Sequence, residues 1–297
     1  SGIRILRGLR PLQKPLPEAE TLTAQAEADI SLRVSVVIRT RDEEQHFHML
    51  MQNLKQQTVQ VSEITVVDNY SSNERLRTLE DDFARMAEDT FANGKIKLKL
   101  VMISDNEFSH AYSTNLGLYV AENELVCMTN AHSLPVSLHW LQDGIRHFGD
   151  GQVAGVTGFF MPHRKNAVTW RVNEITYCLS QKMVVRQNWC STINGIIRKS
   201  AWKTYPFDEN LPEIIPETKR YGLEDYDWSK EMTTRGYKIV IDPSFSVFHS
   251  HGGTINEIRR NVKGYFIYKG IQHKIDSFIR PRLSFSRVFQ PEYSPPV

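Results

Sequence analysis

A chain of 297 residues, 40% of them hydrophobic, can bury the core of one large domain or of one domain with appendages; a net charge of +2 with 24% charged residues gives no global basic field for nucleic acid. The three cysteines, Cys127, Cys178 and Cys190, are odd in number and scattered, which fits neither a disulfide framework nor the closely spaced pairs of a zinc site and points to a reducing compartment. No apolar run approaches the ~20 residues that span a bilayer and no charged-then-apolar leader opens the chain, so a soluble cytoplasmic protein, peripheral to a membrane at most, is expected.

Residues 1–30 mix Arg, Pro and Glu without a sustained period and read as an arm or linker. Val34 to Ile38 is a β-branched run of the kind a buried parallel strand shows, and Glu43 to Gln57 then carries helical spacing through Phe47, Leu50, Met51 and Leu54. Ile64 to Val67 repeats the strand signal and ends at Asp68, before SSNERLRTLEDDF opens a second helical stretch with hydroxyls. Ile96 to Ile103, Leu125 to Met128 and Val153 to Phe159 read as further strands, separated by helices near Ser109 to Ala121 and Ser137 to Phe148. The alternation predicts an α/β fold with a Rossmann-like, mainly parallel central sheet flanked by helices. Ligands of such sheets sit beyond the carboxyl ends of the strands, which places Thr40 to Glu43, Asp68 to Ser72 and Asn130 to His132 on one rim.

Beyond residue 160 the alternation loosens through NWCSTINGIIRKSAW and the turn-like PFDENLPEIIPE, a half expected to take a second ligand. In GLEDYDWSKEMTTRGYKIVIDP the acids Glu224 and Asp225 stand at the start of a helix that leads into a strand. One of them could act as a base; alternatively Glu224, Asp225 and Asp227 only favour the positive end of the helix dipole. From Asn256 to Phe278 the chain turns helical and basic, with Arg259, Arg260, Lys263, Lys269 and Lys274 among Tyr265, Phe266 and Tyr268. That segment reads either as a helix packed by its aromatic face or as a peripheral membrane contact.

Four stretches, VSVVIRTRDEEQHFHMLMQNLKQQT, VVDNYSSN, FSHAYSTNLGLYVAENELVCMTNAHSLP and the GLED helix, together resemble the family-2 glycosyltransferases of the GT-A fold, inverting enzymes that use nucleotide sugars. The resemblance runs from about Val34 to about Gly253. It implies that Thr40, Arg41, Glu43 and Asn130 face the donor nucleotide, that Asp68 accepts a hydrogen bond from the base, and that Asp225 is the general base with Glu224 beside it. Asp68 as a cap of the following helix is the competing reading.

Two departures stand out. Thr114 replaces an Arg that often precedes the Asn-x-Gly of the helix, and Asn130-Ala131-His132 stands where the family carries its metal-binding Asp-x-Asp. Asn and imidazole bring less negative charge to a hard cation, although manganese accepts imidazole. The resemblance therefore implies a divalent ion, Mn²⁺ or Mg²⁺, on His132, Asn130 and His249, completed by the donor diphosphate. His249 and His251, two apart on an extended segment, point to opposite faces, and His249 takes the family position. The alternatives are packed or surface histidines, and loss of the metal with a cation such as Arg41 serving the diphosphate.

The expected architecture is thus an arm at 1–30, a GT-A domain at 31–255 with a nucleotide-binding half at 31–135 and an acceptor-binding half at 136–255, and a helical extension at 256–297. The expected activity is inverting transfer of a sugar from a nucleotide-sugar donor to a glycan or other hydroxyl acceptor, in bacterial-type glycan or polysaccharide biosynthesis; the alternative is a GT-A-like module that binds nucleotide or glycan without turnover. The chain has no Gln-x-x-Arg-Trp of processive synthases and no Gly-rich loop of nucleotidyltransferases in VVIRTRDEE. A zinc hydrolase on His132, His249 and His251 would leave VVDNYSSN and GLED without a role.

Overall fold

A computed structural model describes residues 33–42, 44–69, 81, 96–161, 189–249 and 255–295. The N-terminal arm, Glu43, most of the helical stretch after Asp68, Cys178 and His251 lie outside these residues.

Strands β1 (Val34–Thr40), β2 (Glu63–Asn69) and β4 (Leu125–Asn130) are buried along nearly their whole length, as β-branched runs covered on both faces require. With β3 (Lys97–Ile103), β6 (Val153–Thr157), β8 (Asn194–Arg198) and β9 (Lys238–Ile241) they form a seven-stranded sheet in the order β3-β2-β1-β4-β8-β6-β9. Neighbours are parallel except that β8 runs antiparallel to both β4 and β6. A small second sheet joins β5 (Leu134–Pro135), β10 (Val247–Phe248) and β7 (Phe160–Met161), in that order.

The helices cover both faces of the large sheet. Helix α1 (Glu44–Lys55) turns Phe47, Leu50, Met51 and Leu54 into one core layer, which also holds Trp140 of the short helix Trp140–Ile145, stacked on Phe245 with ring centroids 4.8 Å apart. Helix α2 (His110–Val120) lies on the other face, its first turn capped by the Ser109 hydroxyl, which accepts from the Tyr112 N–H at 3.0 Å. It approaches β1 so closely that a Cβ on Gly117 would come within 2.3 Å of Val37 Cγ1. The remaining helices are α3 (Trp140–Ile145), α4 (Lys199–Thr204), α5 (Leu211–Ile214), α6 (Thr218–Tyr221), α7 (Glu224–Thr234) and α8 (Ile255–Asp276).

Three elements differ from the reading of the sequence. β8 is a full member of the sheet although Asn and Gly open it, because β4 and β6 supply partners on both edges. The strand expected from Val153 to Phe159 ends at Thr157, and Phe160–Met161 passes to the small sheet. The helix expected from Ser137 to Phe148 is α3 followed by a 3₁₀ turn at Arg146–Gly149.

Helix α8 packs Ile271 and Ile275 against Leu211, Ile215, Leu223 and Tyr226, while Phe266 stays 70% exposed. Among the described residues no helix is long and apolar enough to cross a membrane. After α8 the chain returns to the body: Arg280 and Arg282 pair with the buried Asp227 on α7, Arg282 also with Asp208, and the Tyr293 hydroxyl lies 3.2 Å from that of Tyr112.

Candidate active site

The parallel register puts Thr40 beside Asp68 and Arg39 beside Asn130, so the carboxyl ends of β1, β2 and β4 form one rim. Asp68 is fully buried there. Among the described residues the Thr40 Oγ1 and the Asn69 Oδ1 are buried without a hydrogen-bond partner, polar atoms of the kind a ligand satisfies at the end of such a sheet. Arg41 turns to the surface, where it pairs with Asp105 at 3.2 Å with both side chains about half exposed.

The cation that enters the rim is the residue before Thr40. Arg39 donates through Nη2 to Asn130 Oδ1 at 3.2 Å and to Thr192 Oγ1 at 3.3 Å, and through Nη1 to the His110 carbonyl at 3.5 Å. Burial works against its charge, and Glu224 and Asp225 support it. The same burial, with Arg39 next in effect, pushes the His110 imidazole down to about 4, so that ring is neutral near pH 7.

A turn of unusual backbone delivers the two acids. Gly222 has φ 72° and ψ −130°, and Leu223 follows in the left-handed region at φ 77° and ψ 15°. A non-glycine residue there costs on the order of 1–3 kcal/mol, strain of the sort that clusters at functional sites. A Cβ on Gly222 would stand 3.0 Å from Glu224 Oε2, so the bare backbone lets that carboxylate fold close over the turn.

Glu224 and Asp225 then open α7 and are both buried. Asp225 Oδ2 accepts from the Thr192 N–H at 3.1 Å and Oδ1 from the Tyr226 N–H at 2.8 Å. Burial, and then Glu224, raise the Asp225 carboxyl to about 7, against the pull of the Thr192 N–H; burial raises Glu224 as well, with Arg39 opposing. Helix-dipole placement explains acids at this end of a helix but not their removal from water. Asp227, the third acid of the turn, faces away into a buried cluster, where it accepts from the Tyr205 hydroxyl at 2.6 Å and from Arg282 at 2.6 Å. Tyr268 of α8 is held above its usual range by burial and then by Asp225.

His132 and His249 also meet. Their rings stack with centroids 4.6 Å apart, and His249 Nδ1 lies 2.9 Å from the Ser133 hydroxyl. Among the described residues no group of three His, Cys, Asp or Glu side chains could hold a metal ion, and the Asn130 oxygen is engaged by a guanidinium. Two imidazoles and an amide oxygen already held by Arg39 do not fit a hard divalent cation, which wants several anionic oxygens.

Of the expected site residues, Glu224 and Asp225 come together, as do Thr40, Asp68 and Asn130 along the rim, and His132 with His249. Arg41 stands apart and Glu43 lies outside the described residues. Arg39, His110 and Thr192 were missed. Arg39 had a signal, as the lone charge inside the apolar run VSVVIRT; Thr192 acts largely through its backbone N–H, which no side-chain pattern reveals.

The family model described as Glycosyl transferase family 2 matches residues 35–205. Among characterised proteins, the O-antigen chain rhamnosyltransferase RfbN of Salmonella typhimurium is 19% identical over 232 residues, covering 76% of this chain and 69% of that protein. Among solved structures, the mannosyltransferase PcManGT from Pyrobaculum calidifontis, in complex with GDP-Man and Mn²⁺, superposes with a TM-score of 0.59 at 18% identity, over 84% of this chain and 66% of that one. TarS 1-349 of S. aureus, in complex with UDP-GlcNAc, gives 0.49 at 17% identity, over 74% of this chain and 59% of that one. The chain thus spans about two thirds or less of the length of these two solved chains, and the likeness to the mannosyltransferase bears out the GT-A type of α/β fold.

Proposed function

The chain belongs to glycosyl transferase family 2, and from that premise we propose that it moves one sugar from a nucleotide-sugar donor to a hydroxyl of a glycan or similar acceptor, with inversion at the anomeric carbon. The observation that carries this reading is the placement of Asp225: buried, oriented by two backbone N–H groups, and raised to about 7. A base is most effective when its pKa lies near the working pH. In the step, the acceptor oxygen bonds to the anomeric carbon, its proton passes to the Asp225 carboxylate, and the carbon–oxygen bond to the diphosphate breaks with its electron pair left on the diphosphate. Glu224, sharing the turn, sets the field that keeps Asp225 basic.

The rim of Thr40, Asp68 and Asn69 is assigned to the nucleotide, supported by the buried oxygens of Thr40 and Asn69 that have no partner among the described residues. A role in bacterial-type polysaccharide assembly is supported by the likeness to an O-antigen chain rhamnosyltransferase. Of the three residues expected to hold a divalent ion, His132 and His249 are adjacent, and no step is assigned to a metal here.

The test is a thermal-shift panel of UDP-, GDP- and dTDP-sugars followed by transfer assays with the sugar that binds. A donor at ~100 times its dissociation constant adds ~2.7 kcal/mol of stability. Binding with neither transfer nor donor hydrolysis would favour a binding module instead.

A further inference from the structure

We propose that Arg39 is the group that receives the donor diphosphate, a guanidinium built into the sheet rim beside Asn130. The inference rests on the glycosyl-transfer reading and assigns the charge compensation that this reaction requires. As the bond from the anomeric carbon breaks, its electron pair stays on the diphosphate oxygen, and a cation must stand there without having to reorganise. Arg39 keeps its proton throughout, while the acceptor's proton goes to Asp225.

Three observations carry the assignment. First, among the described residues the hydrogen-bond partners of Arg39 are all uncharged: the Asn130 amide oxygen, the Thr192 hydroxyl and the His110 carbonyl. They fix the plane of the guanidinium without an ion pair, Glu224 and Asp225 acting on its charge at longer range, and they use three of its five N–H groups. Second, the strand-end residue of β4, Asn130, is an amide and is the register partner of Arg39 on β1. A carboxylate there would close an ion pair with Arg39, whereas the amide holds the side chain without one, so that its remaining N–H groups can meet an anionic ligand. Third, the other arginine of the same segment, Arg41, is paired with Asp105 on the surface. A planar guanidinium also matches two phosphoryl oxygens at once.

Calorimetry with UDP, GDP and dTDP, each beside its own nucleoside, tests this on the full chain, in EDTA and in Mn²⁺. The wild type should bind one diphosphate equally well in EDTA and in Mn²⁺. Arg39→Met should lower that affinity about 10- to 100-fold and leave the nucleoside affinity unchanged, the loss expected for a charge-assisted contact. Arg39→Lys, which keeps the charge without the fork, should fall between, and serves if the methionine variant does not fold. Diphosphate affinity equal in all three proteins, or lost in EDTA and restored by Mn²⁺ in the wild type, would overturn the assignment while the glycosyltransferase reading stood. A wild type that binds no nucleoside diphosphate under either condition would overturn both.

Discussion

The backbone N–H of Thr192 donates to Asp225 Oδ2 at 3.1 Å, so the carboxylate at the head of α7 is held by the segment that enters β8 as well as by its own helix. The tie is doubled behind it, because the Ser229 hydroxyl donates to the Asp225 carbonyl at 2.7 Å and accepts from the Cys190 N–H at 2.9 Å. If Asp225 is the base, its orientation is set by the fold before any substrate arrives.

Replacing that carboxylate should remove proton transfer and little else. Asp225→Asn is expected to lower transfer by about two orders of magnitude or more while donor binding persists. Single-turnover rates with saturating donor give the answer, and a variant within a few-fold of wild type would dismiss Asp225 as base.

The raised carboxyl makes two pH predictions of opposite sense. Transfer, measured as kcat/KM, should rise with pH through about 7 as Asp225 loses its proton. Stability should move the other way: the folded state holds this proton more tightly than the unfolded chain, so the Asp225 contribution is full below the ordinary carboxylate range and is lost as pH rises toward about 7. Asp225→Asn, which cannot ionise, should therefore melt at or above the wild-type temperature at pH 8. A clear drop in melting temperature there would mean that the ionised carboxylate is stabilised by the fold.

How much of this was readable in advance depended on where the cause lay. Strands β1, β2 and β4 announced themselves through β-branched runs, since burial on both faces leaves a local compositional mark. That Glu224 and Asp225 open a helix was legible because the pair sits in a long surrounding pattern. β8 was not, because NGIIR becomes a strand through partners on both sides. Arg39 was passed over for Arg41, which follows the strand, since nothing local says that Arg41 would find Asp105 across the surface. The return of the tail was equally hidden: Arg280 and Arg282 are ordinary basic residues until Asp227 and Glu231 are placed opposite them.

That buried cluster behind the site should be costly to break. Arg282 reaches both Asp227 and Asp208, and burial followed by Asp227 raises the Asp208 carboxyl to about 6 even with the arginine present. Arg282→Met leaves these carboxylates with less compensation and is expected to cost ~3 kcal/mol, the scale for removing one partner from a buried ion pair. Urea unfolding measures it, and a loss below ~1 kcal/mol would mean that the tail adds little to the body.

On the nucleotide side, Asn69→Ala is expected to lower nucleoside affinity about five- to tenfold, the loss of one hydrogen bond, because its buried oxygen has no protein partner to satisfy. Asp68→Ala should also weaken binding without unfolding the chain. Calorimetry with both variants separates the neighbours, and affinities unchanged in both would move the base away from the end of β2.

The last prediction concerns the turn that aims the acids. Gly222 combines φ 72° with ψ −130°, a region essentially closed to residues with a Cβ, and an added methyl would meet Glu224 Oε2 at 3.0 Å. Gly222→Ala must therefore either strain the backbone or rotate the turn, and rotation carries Glu224 and Asp225 with it because they are the next residues but one and but two. The expected outcome is a loss of on the order of 1–3 kcal/mol in stability together with a fall in turnover larger than the fall in donor affinity. The split is informative, since a turn that only joined α6 to α7 would lose stability and keep its kinetics. A variant with wild-type turnover after allowance for the unfolded fraction would show that the positive-φ turn has no part in aiming the base.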